Sequence, residues 1–230
     1  MSRAAIDVAG VPGVPESALA ADVLDRLPGS APAPWRTRLS AVVWVHRAAP
    51  AALQQLDPAL RRRHLPVTVG AFVRYADTPV GPYSEVLASP VVLLDHGIPA
   101  ASIPFIAVES LASIHGGRAN WSLPKTLASF TWRTPQPGFG VQGAGRGWGV
   151  TAAARVAGPR IPLAAAGRDV QPTPEGGELV AGLTVRGLGR AARVRVDVDG
   201  PTLPRWLLSG DHAGLVLSRA RMTFGVPRRR

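Results

Sequence analysis

The sequence predicts an α+β protein built mainly from antiparallel β-sheet, with a few short helices. Two observations carry this. The run Ala192-Arg193-Val194-Arg195-Val196-Asp197-Val198-Asp199 alternates valine and polar positions without a break, as a strand with one face in solvent does. Other short apolar runs, rich in β-branched and aromatic residues, are bounded by glycine and proline, and helical spacing is confined to brief stretches. With 230 residues, 46 % of them hydrophobic, the chain can bury a sizeable core as one domain.

In chain order, residues 1–34 form a Pro/Gly/Ala-rich lead with one short helix at 16–27, where Leu19, Val23 and Leu27 fall at helical spacing. Pro32 and Pro34 end the lead, and a single domain, 35–230, follows. Residues 39–46 read as a buried strand, and 50–64 as a helix interrupted at Asp57-Pro58. Strands are expected at 67–75, 84–94 and 104–108, a helix-like stretch at 109–114, and a strand at 127–132. The glycine-rich stretch 138–149 is punctuated by Phe139, Val141 and Trp148 and reads as strand turns. Residues 215–224 close the chain as a strand.

Composition excludes several function classes. The absence of cysteine removes disulfides, thiol nucleophiles and thiolate metal sites. The five histidines do not pair at ligand spacing, so no metal is expected. No apolar run approaches membrane-spanning length, and Asp7, Glu16, Asp22 and Asp25 interrupt the N-terminal region. A soluble, cytoplasmic protein without a membrane partner is expected. The net charge of +11 comes from dispersed arginines, grouped only at Arg61-Arg62-Arg63 and Arg228-Arg229-Arg230. Aromatics do not interleave with them, so no specific nucleic-acid partner is expected. Gly187-Leu188-Gly189-Arg190-Ala191-Ala192 loosely matches a dinucleotide-binding turn, but a strand follows where that motif needs a helix.

Lys125 is the only lysine among 26 lysine and arginine residues. An ammonium can shed its proton and attack a carbonyl, whereas a guanidinium cannot. Biased composition alone would leave a lone lysine, so its setting decides. Trp121, Leu123, Pro124 and Leu127 surround it in sequence, and no acidic residue lies between Glu109 and Asp169. Apolar surroundings of this kind lower a lysine's pKa. Pro124 fixes the backbone just before it, so Lys125 is expected at the start of a strand.

The string Gly117-Arg118-x-x-Trp121-x-x-Pro124-Lys125 resembles the Schiff-base lysine motif of the acetoacetate decarboxylase superfamily, usually written GREIWGFPKK. Gly81-Pro82-Tyr83-Ser84-Glu85-Val86 is similar to the family's Tyr-x-Glu segment, and the likeness spans about residues 36–133. The resemblance implies a cone-like barrel of the acetoacetate decarboxylase type, with Lys125 in the largest enclosed pocket, and a homo-oligomer. It also implies an imine formed on Lys125 from a small keto acid or related carbonyl substrate. No cofactor is needed, because the protonated imine is itself the electron sink. Glu85 would position substrate or move a proton, Arg38 or Arg36 would bind a carboxylate, and Tyr83, Arg118 and Trp121 would complete the substrate side. Three departures matter: Thr126 replaces the second lysine, Ala119 replaces the glutamate of the motif, and the strand before Tyr83 carries no carboxylate. They leave open a decarboxylase, a non-decarboxylating aldolase or dehydratase using the same imine, and a non-catalytic binding protein.

Overall fold

The computed structural model describes residues 6–94, 97–133 and 139–230. The lead has a 3-10 turn at Pro15–Ser17 and one helical turn, α1 (Ala21–Leu24), in place of the expected continuous helix. β1 (Trp35–Arg47) follows. The expected helix over 50–64 is a 3-10 turn, Pro50–Gln55, and a single turn, α2 (Pro58–Arg61), capped by the Asp57 carboxylate on the Ala59 amide. Asp57-Pro58 starts α2, because proline suits a helix's first position and breaks its interior. Then come β2 (His64–Asp77), β3 (Tyr83–Leu93), β4 (Pro99–Ala101), β5 (Phe105–Val108) and α3 (Leu111–Trp121). The chain continues through β6 (Lys125–Leu127), β7 (Ser129–Arg133), β8 (Phe139–Gly145), β9 (Trp148–Val156) and β10 (Ile161–Pro172). It ends with β11 (Glu178–Asp199), β12 (Gly210–Phe224) and β13 (Arg228–Arg229). Gly138, where the expected glycine-rich turns begin, lies outside the described residues.

The strands pair in the order β10-β4-β3-β2-β1-β12-β11, and β10 also pairs with β11, so the path returns on itself as a ring. Most pairings are antiparallel, but β4–β10 and β5–β6 are parallel. The architecture is a closed ring of strands, short of a regular barrel. β9, β8 and β7 branch from β11, whose 22 residues serve both the ring and the branch.

Strand alternation sorts the side chains into two cores. Trp35, Leu39 and Ala41 of β1 face the inside of the ring, packing with residues such as Ile106, Trp121 and Leu217. Beyond a bulge between Leu39 and Ala41, Val42 and Trp44 face the other way, into a core shared with Phe72, Trp148, Val150 and Trp206. That second core lies under the β8–β9 branch and the 3-10 turn Leu203–Arg205. Gly187 sits at a register shift in β11, where an added Cβ would lie 2.7 Å from the Ala220 Cα. The glycines that loosely matched a dinucleotide turn thus belong to a continuous strand.

Candidate active site

The segment 116–125 makes a helix end, a tight turn and a short strand. α3 stops where Ser122 adopts left-handed backbone, φ 57° and ψ 30°. The Ser122 and Leu123 amides close onto the Arg118 and Gly117 carbonyls at 3.0 and 3.2 Å, the first being the bond of an αL cap. The Lys125 amide then bonds back to the Leu123 carbonyl at 2.7 Å, and β6 begins beside β5 with Lys125 opposite Ile106. Gly117 is needed by close approach. A Cβ there would lie 2.5 Å from the Lys125 Cδ, so the lysine stem occupies the space of the missing side chain.

The Lys125 side chain runs into a hollow inside the ring and is only 4 % exposed. Its Nζ donates to Glu85 Oε2 at 2.7 Å and to Ser113 Oγ at 3.0 Å, with the Tyr83 hydroxyl at 3.4 Å. Tyr75 Oη donates to the other Glu85 oxygen at 3.1 Å. The two tyrosines are cross-strand partners on β2 and β3, with ring centroids 4.6 Å apart. The amine also lies 5.1 Å from the Tyr83 ring centroid and 5.9 Å from that of Trp35. The hollow has a cavity volume of about 90 Å³; the grooves with larger volumes are more open to solvent.

The electrostatics differ from those expected. Burial alone would push the ammonium down, but the Glu85 carboxylate and Tyr83 outweigh it and hold Lys125 above the ordinary lysine value. The sequence neighbourhood is free of acids; the fold supplies one from 40 positions away. The resting pair is therefore ammonium and carboxylate. A proton moving along the 2.7 Å bond to Glu85 would leave the neutral amine that nucleophilic attack requires. Burial pushes the hydroxyls of Tyr75 and Tyr83 up, so both remain donors at neutral pH.

The other residues read from the sequence are dispersed. Trp121 is a wall of the hollow, stacked on Phe224 at 4.4 Å, with its Nε1 donating to the Gly225 carbonyl at 2.8 Å. Arg118 is fully buried outside it. Its three nitrogens donate to the carbonyls of Lys125, Val8 and Ser17 at 2.7, 2.8 and 2.8 Å, fastening the lead to the lysine strand. Arg36 and Arg38 sit at outward positions of β1; Arg38 pairs with Asp77 at 3.2 Å on the surface, and Thr37 between them faces the hollow. Period-two alternation decides this, since neighbouring strand residues point to opposite faces. Thr126 likewise points away from Lys125, donating to the Ala18 carbonyl at 3.1 Å. His115 bonds the Pro28 carbonyl and does not reach the hollow.

Sequence reasoning missed Trp35, Thr37, Tyr75, Ser113 and Asp169. One signal was present: Tyr75 and Tyr83 are the only two tyrosines in the chain. Asp169, on β10, is a second carboxyl lining the hollow and is 3 % exposed. Its Oδ1 accepts from Gln171 Nε2 at 2.8 Å, and burial pushes its pKa up to about 7. Among the described residues no cluster of histidine, aspartate and glutamate could hold a metal ion.

The family model for acetoacetate decarboxylase matches residues 25–205. The chain belongs to the acetoacetate decarboxylase family. Solved acetoacetate decarboxylase-like structures share its fold. The acetoacetate decarboxylase of Legionella pneumophila aligns at TM-score 0.65 and 17 % identity, over 89 % of this chain and 90 % of that one. A second acetoacetate decarboxylase aligns at TM-score 0.66 and 14 % identity, over 92 % and 97 %. The enduracididine biosynthesis enzyme MppR, solved with the condensation product of pyruvate and imidazole 4-carboxaldehyde, aligns at TM-score 0.63 and 15 % identity, over 86 % and 90 %. No curated protein matches the sequence. Within this family frame, Lys125 and Glu85 carry the matched motifs and meet in the ring. Among the described residues no helix is long and apolar enough to cross a membrane.

Proposed function

We propose that this acetoacetate decarboxylase-family protein is a Schiff-base enzyme acting on a small carbonyl compound, with Lys125 as nucleophile and Glu85 as its proton acceptor. The observation that carries this is the buried amine 2.7 Å from one carboxylate inside an apolar hollow. After Glu85 takes a proton, the amine adds to the substrate carbonyl and water leaves. The resulting protonated imine draws electrons from a neighbouring bond. Ser113 and Tyr83 hold the nitrogen in place, and Tyr75 orients Glu85.

Loss of CO2 from a keto acid is one outcome such an imine supports. It needs a seat for the carboxylate, and Arg36 and Arg38 lie on the outer face of β1. The hollow therefore favours breaking a C–C or C–H bond without decarboxylation, as an aldolase or dehydratase does. The test is exchange of heavy oxygen from labelled water into a panel of small ketones and aldehydes, which requires imine formation and reversal. Exchange well above background, reduced to background in Lys125→Arg, is expected. Equal exchange by the variant would refute the proposal, and binding without exchange would mark a non-catalytic member.

A further inference from the structure

The hollow around Lys125 has an unusual charge inventory. Among the described residues that line it, Lys125 is the only cation, and Glu85 already occupies it at 2.7 Å. No arginine lines it, although the chain has 26 basic residues in all. A second carboxyl, Asp169, faces the same space. The remaining wall is largely apolar, from residues such as Trp35, Ile103, Ile106, Leu183, Met222 and Phe224. One further polar atom, the buried Thr37 Oγ1, has no partner.

From this the geometry points to an uncharged, mostly apolar ketone or aldehyde as the substrate, with Asp169 as the residue that discriminates against anions. The inference rests on the imine reading above. A carboxylate leaving water needs a guanidinium or another buried cation to replace its hydration, and the hollow holds none free. A neutral carbonyl compound needs only apolar wall and one or two hydrogen bonds, which Thr37 and a protonated Asp169 can give. The titratable groups of the hollow are Lys125, Glu85, Tyr75, Tyr83 and Asp169. The strands beside Asp169 set Ala101 of β4 and Ala181 of β11 against it. Gln171 donates to it, and among the described residues no cation holds it ionised. Below neutral pH it is an uncharged donor. Above, it is a buried anion that repels a second one.

The same carboxyl balances the imine step. The neutral amine forms the C–N bond, the carbonyl π pair moves to oxygen, and that oxygen takes the Asp169 proton. The new ammonium returns a proton to Asp169. Asp169 then protonates the hydroxyl, which leaves as water while the nitrogen lone pair forms the imine.

The experiment is borohydride trapping of a branched methyl ketone and of the α-keto acid carrying the same alkyl group, measured by intact mass at about pH 6 and about pH 8. The ketone should be trapped at least about tenfold more at the higher pH, and the ratio should shrink at the lower pH. In Asp169→Asn, which keeps the size and removes the charge, the ratio should no longer change with pH. Trapping of the keto acid as well as the ketone by the unaltered protein at the higher pH would overturn the inference and leave the imine reading standing. So would an unchanged pH dependence in the variant. Trapping of neither would overturn both.

Discussion

At the scale of the residue, the site turns on one buried ion pair. Because the folded Lys125 pKa is raised, the pair stabilises the fold below the ordinary lysine value, and the contribution disappears as pH rises through the folded value. Glu85→Gln removes the leading upward influence and leaves burial opposed only by Tyr83, so the amine should lose its proton more readily. We predict faster reaction of Lys125 with acetic anhydride near neutral pH in this variant, with a stability loss on the order of 3 kcal/mol in urea titration. Slower labelling would mean that Glu85 does not hold the proton. Gly117→Ala places a methyl where the lysine stem lies, 2.5 Å from its Cδ. Overpacking of this kind costs about 1–3 kcal/mol, and imine trapping should slow because the amine is pushed off Glu85. Trapping at the unaltered rate would show that the stem can move aside freely.

At the scale of the element, β6 and β10 decide what the sequence could and could not reveal. Lys125 at the start of a strand was legible because Pro124 restricts the backbone before it, and Glu85 was legible through the resemblance of Tyr83-Ser84-Glu85 to the family's Tyr-x-Glu segment. The arginine assignments were not, because residues 36 and 38 share the outward register with each other while 37 faces in, and one-residue register is set by pairing with β2 and β12. Asp169 was hidden because the small residues Ala164-Ala165-Ala166-Gly167 blur the alternation of β10. The helices expected over 16–27 and 50–64 were overestimated, since single turns packed against the sheet suffice there, whereas the helix expected over 109–114 was underestimated and runs through Leu111–Trp121. Thr126→Lys should leave Lys125 labelling rates unchanged, since residue 126 faces Ala18 and not the hollow; acceleration would place the new ammonium in the site. Asp169 carries its own pH signature. With a pKa raised from 3.8 to about 7, it binds more protons folded than unfolded between those values. Stability should therefore fall across that window and be flat above it, by on the order of 4 kcal/mol in all. Asp169→Asn should flatten this slope in denaturation curves taken from about pH 4 to about pH 8; an unaltered slope would mean that the carboxyl is ionised and solvated.

At the scale of the whole molecule, the ring gathers into one hollow residues from β1, β2, β3, β6, β10 and β11, which are far apart in sequence. The lead contributes by anchoring: Arg118 ties Val8 and Ser17 to the carbonyl of Lys125. The closed path and the single lysine make the central claim directly measurable. The protein incubated with a small ketone, reduced with borohydride and digested should yield one modified internal peptide, the one containing Lys125, with the mass of the reduced imine. Lys125→Arg should yield none. A reduced adduct found only on the terminal amine, or no adduct on Lys125 with any ketone or aldehyde that binds, would contradict the account.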